Sequence, residues 1–164
     1  PFIGTIGTSP EIESIAALKP DRHGGNMDLP SVGPGSTLYL PVQVPGALLY
    51  LGDGHAIQGD GELCGVAIEI ATTTTLQIDV VKGWSLGWPR LENDDCIMSI
   101  GSARPLEDAT RVAYADLIAW MVTDHGFDQW DAYMLLSQIG RIRLGNVVDP
   151  NYTVGASIAK EYLP

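Results

Sequence analysis

The segment Gly52-Asp53-Gly54-His55-Ala56-Ile57-Gln58-Gly59-Asp60-Gly61-Glu62 sets three carboxylates, one imidazole and one amide among four glycines. Carboxylate oxygens and a neutral imidazole are ligands for Zn²⁺ or for a harder divalent cation. The same groups activate a water or steady a developing oxyanion. The glycines let the backbone turn tightly and approach a small ligand. A polar turn with solvated acids is the plainer reading of the same string.

A second cluster is Arg22-His23-Gly24-Gly25-Asn26-Met27-Asp28. In an extended stretch Asn26 and Asp28 project to the same side. The plainer reading is a turn in which both bond their own backbone. Glu69 is a single acid among apolar neighbours, and on a buried face it needs a partner. Cys64 and Cys96 have no histidine beside them, and no serine sits in a nucleophile-elbow pattern.

The elements that carry these residues read as strands first and helices last. Residues 1–35 are rich in Gly and Pro and read as irregular. Leu38, Leu40, Val42 and Val44 alternate as in a half-buried strand, and residues 47–51 form a short apolar run. The Asp53–Glu62 string then falls on a loop between apolar strands. Alternation predicts strands over residues 63–70 and 72–81, and another over 96–100. A loop spans 83–95. Pro105, Glu107 and Asp108 open a helix that ends at Gly126, with Leu106, Ala109, Ala113, Leu117, Trp120 and Met121 on one face. Asp128 caps a second helix ending at Gly140, and strands close the chain at 142–148 and 153–158. Strands followed by helices, without βα alternation, predict an α+β fold. The 164 residues are read as a single domain.

The chain carries 9 basic and 20 acidic residues, a net charge of −11. That imbalance argues against nucleic-acid backbones and anionic membranes as partners. An apolar share of 45% excludes a disordered acidic tail. There is no uninterrupted apolar run of about 18 residues. Two cysteines are too few for a disulfide framework, so a cytoplasmic location is expected.

The chain resembles the acetamidase/formamidase family. The resemblance rests on Gly24-Gly25-Asn26-Met27-Asp28, on Gly52-Asp53-Gly54-His55-Ala56, and on Gln58-Gly59-Asp60-Gly61-Glu62-Leu63-Cys64-Gly65 followed by Glu69. The strings Pro1-Phe2-Ile3-Gly4-Thr5-Ile6-Gly7, Ala132-Tyr133-Met134-Leu135-Leu136-Ser137 and Val147-Val148-Asp149-Pro150 extend it along the chain. It implies hydrolysis of short aliphatic amides, a β-sandwich-centred fold with two C-terminal helices, a divalent metal (zinc or calcium) and a homo-oligomer. Family members are longer at the N-terminus. The resemblance therefore implies a missing N-terminal β-rich segment, or a separate N-terminal chain as partner.

The expected site assigns Asp28, Asp53 and His55 to the metal. Glu62, Asp60 and Glu69 are the expected acid–base groups, and Asn26 and Gln58 are expected to orient the amide. The alternative is a non-catalytic domain of the same fold that binds an ion or small ligand.

Overall fold

The computed structural model describes residues 1–164. Its strands are β1 (Phe2–Gly7), β2 (Gly24–Asn26), β3 (Thr37–Tyr39), β4 (Tyr50–His55), β5 (Arg90–Glu92), β6 (Cys96–Ala103), β7 (Arg141–Leu144) and β8 (Tyr152–Ala159). The helices are α1 (Leu106–His125) and α2 (Gln129–Ile139). β2-β1-β4 form a three-stranded sheet and β3-β5-β6-β8-β7 a five-stranded one. Every strand pair in both sheets is antiparallel.

The five-stranded sheet is the middle of three layers, and the period of two along β6 shows why. Ile97 belongs to one core with Leu117, Trp120, Met121, Leu136, Val154 and Ile158, beneath the helices. Met98 and Ile100 belong to the other, with Ile6, Met27, Leu29 and Leu91, against the three-stranded sheet. Each fully buried Leu or Ile here stabilises the fold by about 1.5–3 kcal/mol. Helix α1 approaches closely because Gly101 lies under it. A Cβ there would be 2.5 Å from Ala109 O and 2.7 Å from Ala113 N. The result is an α+β fold built on packed sheets, with two late helices.

Both helices end where the sequence predicts. Gly126 caps α1 at φ 71°, a left-handed conformation that favours glycine. The Asp128 side chain accepts from Trp130 N and Asp131 N at the start of α2. Arg90 and Asp116 join β5 to α1 by two hydrogen bonds, of 2.8 and 3.2 Å.

Several strand expectations are corrected. Residues 1–35 contain β1 and β2, and β1 is the central strand of its sheet. Its glycines mark close approaches: a Cβ on Gly7 would lie 2.8 Å from Gly25 N and from His23 O. Ala47 and Leu48 form a positive-φ turn, so the following strand starts later, at Tyr50. That strand runs on to His55, placing Asp53 and His55 on β4 where a loop is expected. β5 lies within the expected 83–95 loop, and β6 extends to Ala103.

The largest correction concerns residues 63–81. They hold no regular strand, only one bridge of Glu69 to His55. Leu63, Val66, Ile68, Ile78 and Val80 are exposed. Alternation describes what a strand face would bury, but a ladder also needs a neighbour along its length, and this segment meets one only at residues 68–70, beside the end of β4.

Candidate functional site

Three backbone excursions converge at one end of the three-stranded sheet. Phe2 pairs with His55 and Thr5 with Asn26, so β1 holds the two candidate clusters side by side. Asp28 N then donates to Gly4 O at 3.0 Å, returning the chain after β2 to β1. Past β4, Ala56 N donates to Ile68 O (2.8 Å) and Ile70 N to Gly54 O (2.8 Å), which sets Glu69 opposite His55. Gly61 N donates to Leu144 O and Val147 N to Gly61 O, which carries Glu62 to the loop after β7.

His55 is the centre of the arrangement. Its ring is fully buried and packs edge-on against Phe2, with centroids 5.1 Å apart. Nε2 lies 3.1 Å from Asp53 Oδ1, 3.2 Å from Glu69 Oε1 and 3.9 Å from Glu62 Oε1. Asp28 completes a second group with Asp53 and His55; within each of the two groups the donor atoms lie within 4.8 Å of one another. Asp28, Asp53 and Glu62 adopt φ of 47°, 64° and 46°. Left-handed backbone at such residues costs about 1–2 kcal/mol each, so the surroundings impose it.

Behind Asp28 lies a polar network. Asn26 Nδ2 donates to Asp28 Oδ2 (2.6 Å) and to Asp149 Oδ2 (2.9 Å). Thr5 Oγ1 donates to Asn26 Oδ1. Asn146 Nδ2 donates to Asn26 O (2.9 Å) and Asp28 Oδ2 (3.3 Å). Gln58 Nε2 donates to Asp28 O (2.7 Å) and Gly145 O (2.9 Å), while Gln58 Oε1 lies 2.9 Å from His55 Nδ1.

The electrostatics are those of a site short of positive charge. None of Asp28, Asp53, Glu62, Glu69 and Asp149 pairs with a lysine or arginine. Burial, reinforced by Glu62, Asp149 and Asp53, pushes the Asp28 carboxyl up to about 10. Burial also raises Glu62 and Asp149 above the usual carboxylate range. Of three buried polar atoms without a hydrogen-bond partner, two lie in the site, His55 Nε2 and Asp28 Oδ1, and the third is His23 Nδ1. A divalent cation fits this set: it takes imidazole nitrogen and carboxylate oxygen, satisfies both orphans and offsets the repulsion. Gly4 leaves room beside the acids, since a Cβ there would collide with Asp53 Oδ2 and lie 2.6 Å from Asp28 Oδ1.

Of the residues singled out in the sequence, Asp28, Asp53, His55, Glu62 and Glu69 come together. Asp60 does not: its half-exposed carboxylate pairs with Arg143 Nε at 3.2 Å. Asn26 and Gln58 reach the cluster, but both amide groups are engaged in the network just described. Both N–H groups of Gln58 are thus taken up by backbone carbonyls. Nor does the 26–28 stretch form the self-bonded turn, because its side chains bond across the fold. His23 packs near Tyr50, at the opposite end of β1 from His55. Thr5, Asn146 and Asp149 are additions. Asp149 stands 123 residues from its partner Asn26, a separation that no motif spacing reports.

The family model described as the Acetamidase/Formamidase family matches residues 2–162. A solved acetamidase from Yersinia enterocolitica is 65% identical with a TM-score of 0.98, over 99% of this chain and 49% of that one. An acetamidase from Bacillus halodurans is 40% identical with a TM-score of 0.94, over 98% of this chain and 55% of that one. The acetamidase of Mycolicibacterium smegmatis is 44% identical over 90 residues, 49% of this chain and 22% of that protein. The chain thus spans about half the length of the solved acetamidases it matches.

Proposed function

Because the chain belongs to the acetamidase/formamidase family, we propose that it carries the hydrolytic centre of an amidase. Its substrates are short aliphatic amides such as formamide and acetamide, cleaved by water to carboxylate and ammonia. The observation that carries this reading is His55 Nε2, buried and without a hydrogen bond, facing Asp53, Glu69 and Glu62. His55 Nε2, Asp53 and Asp28 would hold a divalent cation, zinc or calcium. Such an ion, when bound, supplies Lewis acidity and lowers the pKa of a coordinated water towards about 7.

The chain's own groups do the proton work. Glu62 is almost fully buried, and burial raises its carboxyl, making the carboxylate a stronger base than a solvated one. Glu62 Oε1 takes a proton from the attacking water as oxygen adds to the amide carbon. It then delivers that proton to the departing nitrogen as the C–N bond breaks. Glu69, half exposed at the rim, offers a second acceptor to incoming water. Asn26 and Asn146 hold the Asp28 carboxylate in place through their donated hydrogen bonds.

Ammonia release from formamide and acetamide tests this reading. Activity is expected to vanish on chelation, and Glu62→Gln is expected to lower kcat by about 10²–10⁴-fold. Bound ion with no ammonia release would favour the non-catalytic ion-binding domain instead.

A further inference from the structure

We infer that Gln58 is a positioning residue that selects which nitrogen of His55 faces the acid cluster; this rests on the reading of His55 as a ligand of a divalent ion. The orientation of the amide follows from its neighbours. Asp28 O and Gly145 O are carbonyl oxygens and only accept, so the two N–H groups of Gln58 must face them. Gln58 Oε1 is thereby turned to His55 Nδ1, 2.9 Å away. An amide oxygen only accepts as well, so Nδ1 carries the proton. In the neutral ring Nε2 is then left with its lone pair, directed at Asp53, Glu69 and Glu62.

The acids alone would favour the opposite tautomer. The charge of three facing carboxylates attracts a proton to Nε2, and a ring protonated there turns no ligand atom toward the acids. Gln58 counters that pull from the far side of the ring, while Phe2 packs edge-on and resists its rotation. The same amide ties the Asp28 backbone and the Gly145 backbone to the end of β4. One side chain therefore sets both the tautomer of His55 and the spacing of His55 from Asp28. Partners of this kind on the remote nitrogen of a ligating histidine typically raise metal affinity.

Two variants separate the tautomer role from the bracing role. Gln58→Glu keeps an acceptor for Nδ1–H but removes both donors to the carbonyls. Gln58→Leu removes both functions. Chelated protein, labelled with ¹⁵N in histidine, is titrated with ¹¹³Cd²⁺ and affinity is measured alongside the NMR spectrum. Wild type is expected to show cadmium coupling at His55 Nε2 and a protonated Nδ1. Gln58→Leu is expected to bind cadmium about 10–100-fold more weakly, with Gln58→Glu closer to wild type. Coupling at Nδ1, or unchanged affinity in Gln58→Leu, would overturn the role of Gln58 while leaving the metal reading standing. Equal weakening in both variants would reduce Gln58 to a brace and also overturn it. Wild type that binds no cadmium would overturn the metal reading itself, and this inference with it.

Discussion

Asp53 and His55 lie two residues apart on β4 and turn their functional atoms to each other, Asp53 Oδ1 3.1 Å from His55 Nε2. Residues at that spacing share a face of a regular strand, but Asp53 is left-handed at φ 64° and the pairing with β1 skips it, so the pair is set by this local departure within β4. Glu62, Glu69 and Asp28 are then brought in by backbone hydrogen bonds from three other segments. A donor set assembled in this way depends on space as much as on ligands.

Gly4 supplies that space. Gly4→Ala alters no ligand and asks for no left-handed backbone, yet its methyl would enter the gap between Asp53 Oδ2 and Asp28 Oδ1. The variant is expected to fold, with circular dichroism like wild type. Its divalent-ion affinity should fall at least about 10-fold, on the scale of a lost supporting contact. Wild-type affinity in a folded Gly4→Ala protein would show that ion binding does not need the space beside Gly4.

Asp28 predicts an unusual pH dependence of the chelated protein. Its carboxyl stands at about 10, far above its ordinary value of 3.8. A group raised on folding contributes stability that is complete below the unfolded value and is lost as pH rises toward the folded one. The melting temperature of chelated protein should therefore decline from about pH 4 upward. Asp28→Asn keeps an acceptor for Asn26 and Asn146 and is expected to flatten that decline. Parallel profiles for the two proteins, measured by thermal unfolding, would contradict the assignment.

The ion pair of Arg90 with Asp116 is remote in role from the cluster and tests the fold alone. Both side chains are nine-tenths buried, and Ser99 Oγ adds a 2.8 Å bond to Asp116. Asp116→Asn leaves the guanidinium buried without its counter-charge, which costs about 3–5 kcal/mol. Denaturant unfolding should report that loss, with divalent-ion affinity unchanged in the folded state.

The helices were legible because capping and periodicity are local. Asp128, Gly126 and the Ala109–Ala113–Leu117 stripe specify α1 and α2 without reference to the rest of the chain. β1 was not legible, because its glycines serve neighbours distant in sequence: Gly4 the acids, Gly7 the turn at Gly25. Residues 63–81 failed in the opposite sense, carrying a strand pattern that meets a neighbouring strand only at residues 68–70. Within the site, the 52–62 string gave Asp53, His55 and Glu62, which share one short stretch of chain. Asp60 shares that stretch too, yet the turn at Gly61 sends it toward Arg143. Asp149 and Asn146 arrive by the loop after β7, and only the folded chain brings them to Asn26 and Asp28.

Calorimetric titration of the chelated protein with Zn²⁺ and Ca²⁺ tests the central claim most directly, that the His55 cluster is a divalent-cation centre. The account predicts saturable binding of at least one of the two ions, abolished by His55→Ala and by Asp53→Asn in variants that remain folded. An absence of binding, or binding that both variants retain, would contradict it.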